Sequence, residues 1–263
     1  MNRSRPAVAA RLRTAFVCFV VGCAGLLGLL WTFSFYTELA ASLVPGASER
    51  RFGDALWERT AAAMPEEQRL LARDLEALAY RLAVAWPDNP YELRVAIRPS
   101  EEVQLQALPG GSLLLTTAML EAVQSEDELA FALAHEIGHL RQREHLLVLG
   151  RCLAVVWVMD GLGLSSQLQG EYLEAFGLLG RRVPADRREE AADRFALQAL
   201  ALEYGHVAGA LNLLDHLSKL GAPPDHYVLT PRQAMQRRAG LIALARTEGW
   251  KLGGEPRPPL RLP

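Results

Sequence analysis

Residues 134–145 read AHEIGHLRQREH and hold three of the six histidines in the chain. Upstream lies SEDELAFAL, residues 125–133. Ser125 is a good N-cap, Glu128 completes a capping box, and Leu129, Leu133, Ile137 and Leu140 recur at helical spacing. The stretch therefore reads as a long amphipathic helix running through LLVLG at residues 146–150. On such a helix His135 and His139 project from one face, a single turn apart. Two imidazoles so placed can hold one zinc ion without bending the backbone. Glu136 sits between them, about 100° round the axis. From there it can take the proton of a water on an open coordination position, as a general base. His145, six residues past His139, cannot share that face and reads as structural or solvated.

A catalytic zinc site needs a third protein ligand. The segment REEAADRFAL, residues 188–197, reads as another helix and offers Glu189 and Asp193 four apart on one face. One carboxylate can ligate the metal. The other can accept the second ring N–H of a ligand histidine. The residues alone do not say which does which.

Working outward, YELRVAIR (91–98), VQLQAL (103–108) and SLLLTT (112–117) read as three short strands. The last two form a hairpin about Pro109, Gly110 and Gly111. RFGDALWERTAAAM (51–64) and PEEQRLLARDLEALAYRLAVAW (65–86) read as amphipathic helices, the second opened by Pro65 and stopped by Pro87. Further helices are expected over 189–204, 206–221 and 232–247. The tail 253–263, GGEPRPPLRLP, has a disordered composition.

The N-terminus carries a second signal. Residues 14–36 contain no charge, Arg3, Arg5, Arg11 and Arg13 precede them, and Trp31, Phe33, Phe35 and Tyr36 crowd their end. That is the length, flank and aromatic belt of a membrane-spanning helix with its N-terminus in the cytoplasm. A cleaved signal peptide would have a shorter apolar region. VVGC, ending at Cys23, fits a lipidation box and gives a competing expectation, a lipoprotein anchored at Cys23. The expected organisation is an anchor over 1–44, a domain over 45–252 and the tail. Residues 146–164 are also apolar but hold Arg151 and Asp160, each expensive at mid-bilayer. A single crossing there would separate Glu189 from the histidines, so a packed or membrane-dipping hairpin is expected over 146–180.

Composition narrows the rest. Half the residues are apolar and 22% are charged, which excludes a wholly disordered chain. The net charge of −2 gives no reason to expect nucleic acid as a partner. Three cysteines with no CxxC spacing give neither a disulfide framework nor a zinc knuckle.

HEIGH at 135–139 followed by Glu189-x-x-x-Asp193 resembles the gluzincin metallopeptidases of the HtpX and CAAX prenyl-protease family. The likeness extends upstream through LQALPGGSLLLTTAML and covers roughly residues 91–245, with Gln104 where the family has Asn. The resemblance implies an α+β, mainly α-helical fold, a gluzincin domain with a small β-sheet beside the active helix, plus the one N-terminal transmembrane helix. It implies one zinc ion held by His135, His139 and Glu189. Glu136 would then be the general base, and Asp193 the carboxylate that orients a ligand histidine. It also implies that the strand at Gly111, Ser112, Leu113 and Leu114 is an edge on which extended polypeptide lies. The family's Ser/Thr-His-Pro segment is represented by Thr230 and Pro231 with no histidine between them. His226 and Tyr227 are the nearby candidates to stabilise an oxyanion, and either Arg237 or Arg238 matches the family arginine. The expected function is a membrane-anchored zinc endopeptidase facing the bacterial periplasm and acting in envelope protein quality control. The alternative is a catalytically silent relative that binds polypeptide as a chaperone or scaffold.

Overall fold

A computed structural model describes residues 46–146, 186–219 and 231–261, together with Phe16, Phe19, Val20 and Gly25. The chain divides into two compact units, Met1–Leu43 and Val44–Pro263. The four described positions of the first unit are helical, and Phe16 and Phe19 are exposed. The rest of the 14–36 run, including Cys23, lies outside the described residues, as does 147–185. No helix among the described residues is long and apolar enough to cross a membrane.

The second unit begins with α1 (Gly46–Ala62) and α2 (Glu66–Leu82). Pro65 stands at the N-cap of α2, and Glu66 and Glu67 complement its N-terminal dipole. α2 buries Leu71, Leu75, Leu78 and Leu82, which recur at helical spacing on one face. Three strands follow, β1 (Arg94–Arg98), β2 (Leu105–Leu108) and β3 (Ser112–Thr116). They form one sheet in the order β1-β3-β2. β2 and β3 are antiparallel, with Leu108 opposite Ser112, and are joined by the tight turn Pro109–Gly111. Gly110 and Gly111 there take φ of 81° and 92°, in the left-handed region that glycine tolerates. β1 runs parallel to β3, Arg94 opposite Ser112.

That order corrects one expectation. The strand containing Ser112, Leu113 and Leu114 is central, paired on both sides, so it has no free edge for substrate. Gly111 belongs to the turn before it. All five residues of β3 are buried. Among the described residues, the edge without a strand partner on the hairpin side is that of β2.

After α3 (Thr117–Ala122) comes α4 (Glu126–Arg141), the helix of the His-Glu-x-x-His motif. Ser125 caps it, its hydroxyl accepting from Glu128 N–H at 3.3 Å. The reciprocal bond falls one residue upstream, with Gln124 N–H donating to Glu128 at 2.9 Å. The expected stripe of Leu129, Leu133, Ile137 and Leu140 is buried, and so is every other residue from Asp127 to Leu140. The helix is shorter than expected. It ends at Arg141, and Arg143 adopts φ of 55°, which breaks the α-helical run before helix resumes at Glu144.

The remaining described helices are α5 (Asp186–Tyr204), α6 (Ala208–Leu217) and α7 (Pro231–Glu248). α5 packs along α4. The two helices come close at Gly138, where a Cβ would stand 2.9 Å from Ala192 Cα. The missing side chain is what lets the two backbones meet.

The tail is the second correction. Residues 253–261 have no regular structure but are tied to the domain. Arg257 C=O accepts from Glu126 N–H at 3.1 Å, Arg257 N–H donates to Asp127 at 2.9 Å, and Leu260 packs on the core. Proline and glycine excluded helix and strand there, but they did not prevent docking.

Candidate metal centre

α4 and α5 together build the site. His135 and His139 are fully buried, and their Nε2 atoms stand 3.0 Å apart. Glu189, from the first turns of α5, brings Oε2 to 3.3 Å from His135 Nε2 and Oε1 to 3.6 Å from His139 Nε2. Donors bound to one tetrahedral zinc at about 2.0–2.1 Å stand about 3.3 Å from one another. The two Nε2 atoms and the Glu189 carboxylate, which presents one oxygen to each ring, converge at about that spacing, so the donor set fits zinc. The ligating atoms of His135, Glu136 and His139 also lie within 4.8 Å of one another. Glu136 is the poorer third ligand, because its Oε2 accepts a hydrogen bond from Ala107 N–H of β2 at 2.8 Å.

Local sequence explains the approach. The Gly138–Ala192 contact sets the distance between the helices. Gln142, at the C-cap of α4, donates its side-chain N–H to Arg188 C=O at 3.1 Å and so pins the start of α5 beside Glu189.

Behind His135 stands Asp193, with Oδ1 2.9 Å from His135 Nδ1. A carboxylate there directs the Nδ1 proton outward and leaves Nε2 to face the metal. Asp193 in turn accepts two bonds from Arg237 of α7, Nη2 to Oδ1 at 2.5 Å and Nε to Oδ2 at 3.0 Å. Burial alone would raise the Asp193 pKa, but the Arg237 guanidinium and the His135 contact reverse this and hold it well below the ordinary carboxylate range. Burial and Arg237 both disfavour the charged form of His135, but the carboxylates of Asp193 and Glu189 outweigh them and raise its pKa. Metal binding at Nε2 competes with protonation of the ring.

Sequence left Arg237 and Arg238 as equal candidates. The structure separates them, because Arg238 turns to Asp215 at 3.2 Å, on a more exposed part of the helix. His226 and Tyr227 lie outside the described residues. His145 is structural as expected, with Nε2 2.6 Å from Glu49. Three contributors had no sequence signal: the Ala107 N–H, Glu49, and Glu144, whose Oε2 lies 3.1 Å from His139 Nδ1.

A family model described as peptidase family M48 matches residues 65–235, which takes in the sheet, α4, α5 and the start of α7. No curated protein was matched. With a His-Glu-x-x-His cluster at the junction of α4 and α5 and a match over most of its length, the chain belongs to peptidase family M48, the metallopeptidase family that contains the HtpX zinc enzymes.

Proposed function

We propose that this metallopeptidase is a zinc endopeptidase, anchored in a bacterial inner membrane by residues 14–36, with its catalytic domain in the periplasm. The observation that carries the chemistry is the face formed by His135, His139 and Glu189, with Glu136 beside it. Zinc held there would activate water at its open position and polarise the scissile carbonyl.

The chain's own residues supply the rest. Glu136 takes a proton from the attacking water and returns it to the leaving amine. The Ala107 N–H holds its carboxylate, which keeps it aimed at the site rather than free to rotate. Gln104 pairs with Thr116 across the ladder. By antiparallel alternation, the backbone groups of Leu105 and Ala107 then face away from β3. With the Ala107 N–H held by Glu136, extended substrate added to that edge would use the Leu105 N–H and the C=O groups of Leu105 and Ala107 and run past the metal, so β2 replaces β3 as the substrate strand. Recognition through backbone groups suits unfolded segments of many sequences, which supports a role in envelope quality control.

The deciding experiment uses the full-length protein in mild detergent, as wild type and Glu136→Gln. Both are expected to bind one zinc, with only wild type cleaving casein and a chelator abolishing cleavage. The loss in Glu136→Gln should reach about 10²–10⁴-fold. Absence of zinc from metal-replete, folded protein refutes the site. Zinc without cleavage would favour the polypeptide-binding relative. Shaving of intact spheroplasts by an added protease should remove the catalytic domain; protection would refute the orientation.

A further inference from the structure

Glu49, in the first turn of α1, is buried and far from the metal ligands in sequence. It accepts from Arg143 Nη2 at 2.9 Å and stands 2.6 Å from His145 Nε2, while the Tyr91 ring packs edge-on against His145. Arg143 stands in the turn that ends α4, and His145 lies two residues beyond it. Arg143 has φ of 55°, the only described non-glycine residue with positive φ. Backbone of this kind persists only where surrounding contacts over-determine it. No glycine is present to relieve it.

The turn has a geometric consequence at the metal. On an uninterrupted helix Glu144 would lie about 140° round the axis from His139 and face elsewhere. The left-handed residue redirects the chain and brings Glu144 Oε2 to 3.1 Å from His139 Nδ1, with the Glu144 side chain 8% exposed. The contact is short but lies off the hydrogen-bond line in this rotamer, and Glu144 Oε1 has no partner among the described residues. A buried carboxylate so poorly satisfied adds little to folding. Its position duplicates that of Asp193 on His135, one carboxylate behind each histidine. α1 itself is fixed in register by Gly53, where a Cβ would collide with Pro109 O of the hairpin turn.

We infer that Glu49 is a positioning residue for the metal centre: by clamping Arg143 and His145 it fixes the left-handed turn that holds the Glu144 carboxylate behind His139. The inference rests on the zinc site proposed above. It makes the helix at the entrance to the catalytic domain part of the support for a metal ligand.

The test is the zinc dissociation constant of the full-length protein, by competition with a chromophoric chelator. It is paired with the visible spectrum of the cobalt-substituted form and the melting temperature of the metal-free form. Glu144→Gln and Glu49→Ala are each expected to weaken zinc about 10–100-fold and to shift the cobalt bands. The double variant should be no worse than the weaker-binding single, because both changes break one relay. Glu49→Gln keeps the side-chain shape and one acceptor oxygen. It should shift the same quantities in the same direction by less, and it decides the matter if Glu49→Ala does not fold. A lower melting temperature with wild-type zinc affinity and cobalt spectrum overturns the inference, as does multiplication of the two losses in the double variant. Zinc bound normally by wild type without cleavage removes the peptidase reading and leaves this inference standing. Wild type that binds no zinc removes both.

Discussion

Replacing Asp193 by Asn keeps the side chain's size but removes the charge that both Arg237 and His135 address. Two separate losses follow. The first is to folding. Removing one partner of a buried ion pair costs about 3–5 kcal/mol. The two side chains here retain 16% and 10% exposure, so solvent recovers part of that and about 2–3 kcal/mol is expected. In a domain of this size each kcal/mol moves the melting temperature about 2–4 °C, giving a fall of about 4–12 °C in the metal-free protein. The second loss is to the metal. An amide can offer His135 Nδ1 either a donor or an acceptor, so the ring orientation is no longer enforced, and zinc should bind about 10–100-fold more weakly. The second change Arg237→Gln separates the two. It removes the stranded guanidinium, so the double variant should regain most of the melting temperature and none of the zinc affinity. The assays are thermal unfolding after chelator treatment and competition for zinc. An Asp193→Asn variant that binds zinc as tightly as wild type would refute the assignment of Asp193 as the orienting carboxylate.

Gly138→Val forces a side chain against Ala192, where even a Cβ would be 2.9 Å from Cα. It should cost about 1–3 kcal/mol and weaken zinc by displacing Glu189; unchanged zinc affinity would show that the α4–α5 contact does not set the ligand distance. Burial of Glu49 opposes its ionisation, but His145 and Arg143 outweigh it and lower its pKa from the ordinary 4.5 to about 2. That difference is worth about 3 kcal/mol of stability, fully present above pH 4.5 and lost as pH falls toward 2. Glu49→Gln should flatten thermal stability across that window, and a profile as steep as wild type would refute the pairing. Deleting residues 253–263 removes the bonds of Arg257 to Glu126 and Asp127 at the start of α4, so it should lower the melting temperature. Zinc content should not change, since those bonds lie at the far end of the helix from His139; loss of zinc would show that the tail supports the site.

The site was legible because its chemistry is local. His135, Glu136 and His139 sit within one helical turn and a half, and Glu189 and Asp193 within little more than one turn, so periodicity alone puts each set on a face. Strand order was not legible in the same way. A hairpin announces itself through Pro109, Gly110 and Gly111, but β1 joins β3 by parallel pairing across the intervening chain, and no turn marks that choice. One signal was present. Leu113, Leu114 and Leu115 run apolar without alternation, as in a strand covered on both faces, whereas Leu105-Gln106-Ala107 alternates as a strand with one more open face does. The break at Arg143 had no signal, since neither Gly nor Pro stands there and the ion pair that supports it comes from Glu49, 94 residues away. The choice between Arg237 and Arg238 depended on the helix rotation of α7, which a one-residue difference in spacing does not fix.

α4 is sixteen residues long and enclosed from Asp127 to Leu140. An enclosed helix releases its amide protons to solvent only when the whole domain opens. The slowest hydrogen exchange in the protein should therefore fall on the same residues that carry His135, Glu136 and His139. Enzymes often draw their working parts from mobile loops, but here the reacting groups are set in the last segment to unfold. The movements that admit substrate and release product must then occur in the elements around α4, with the metal ligands as the fixed point they move against.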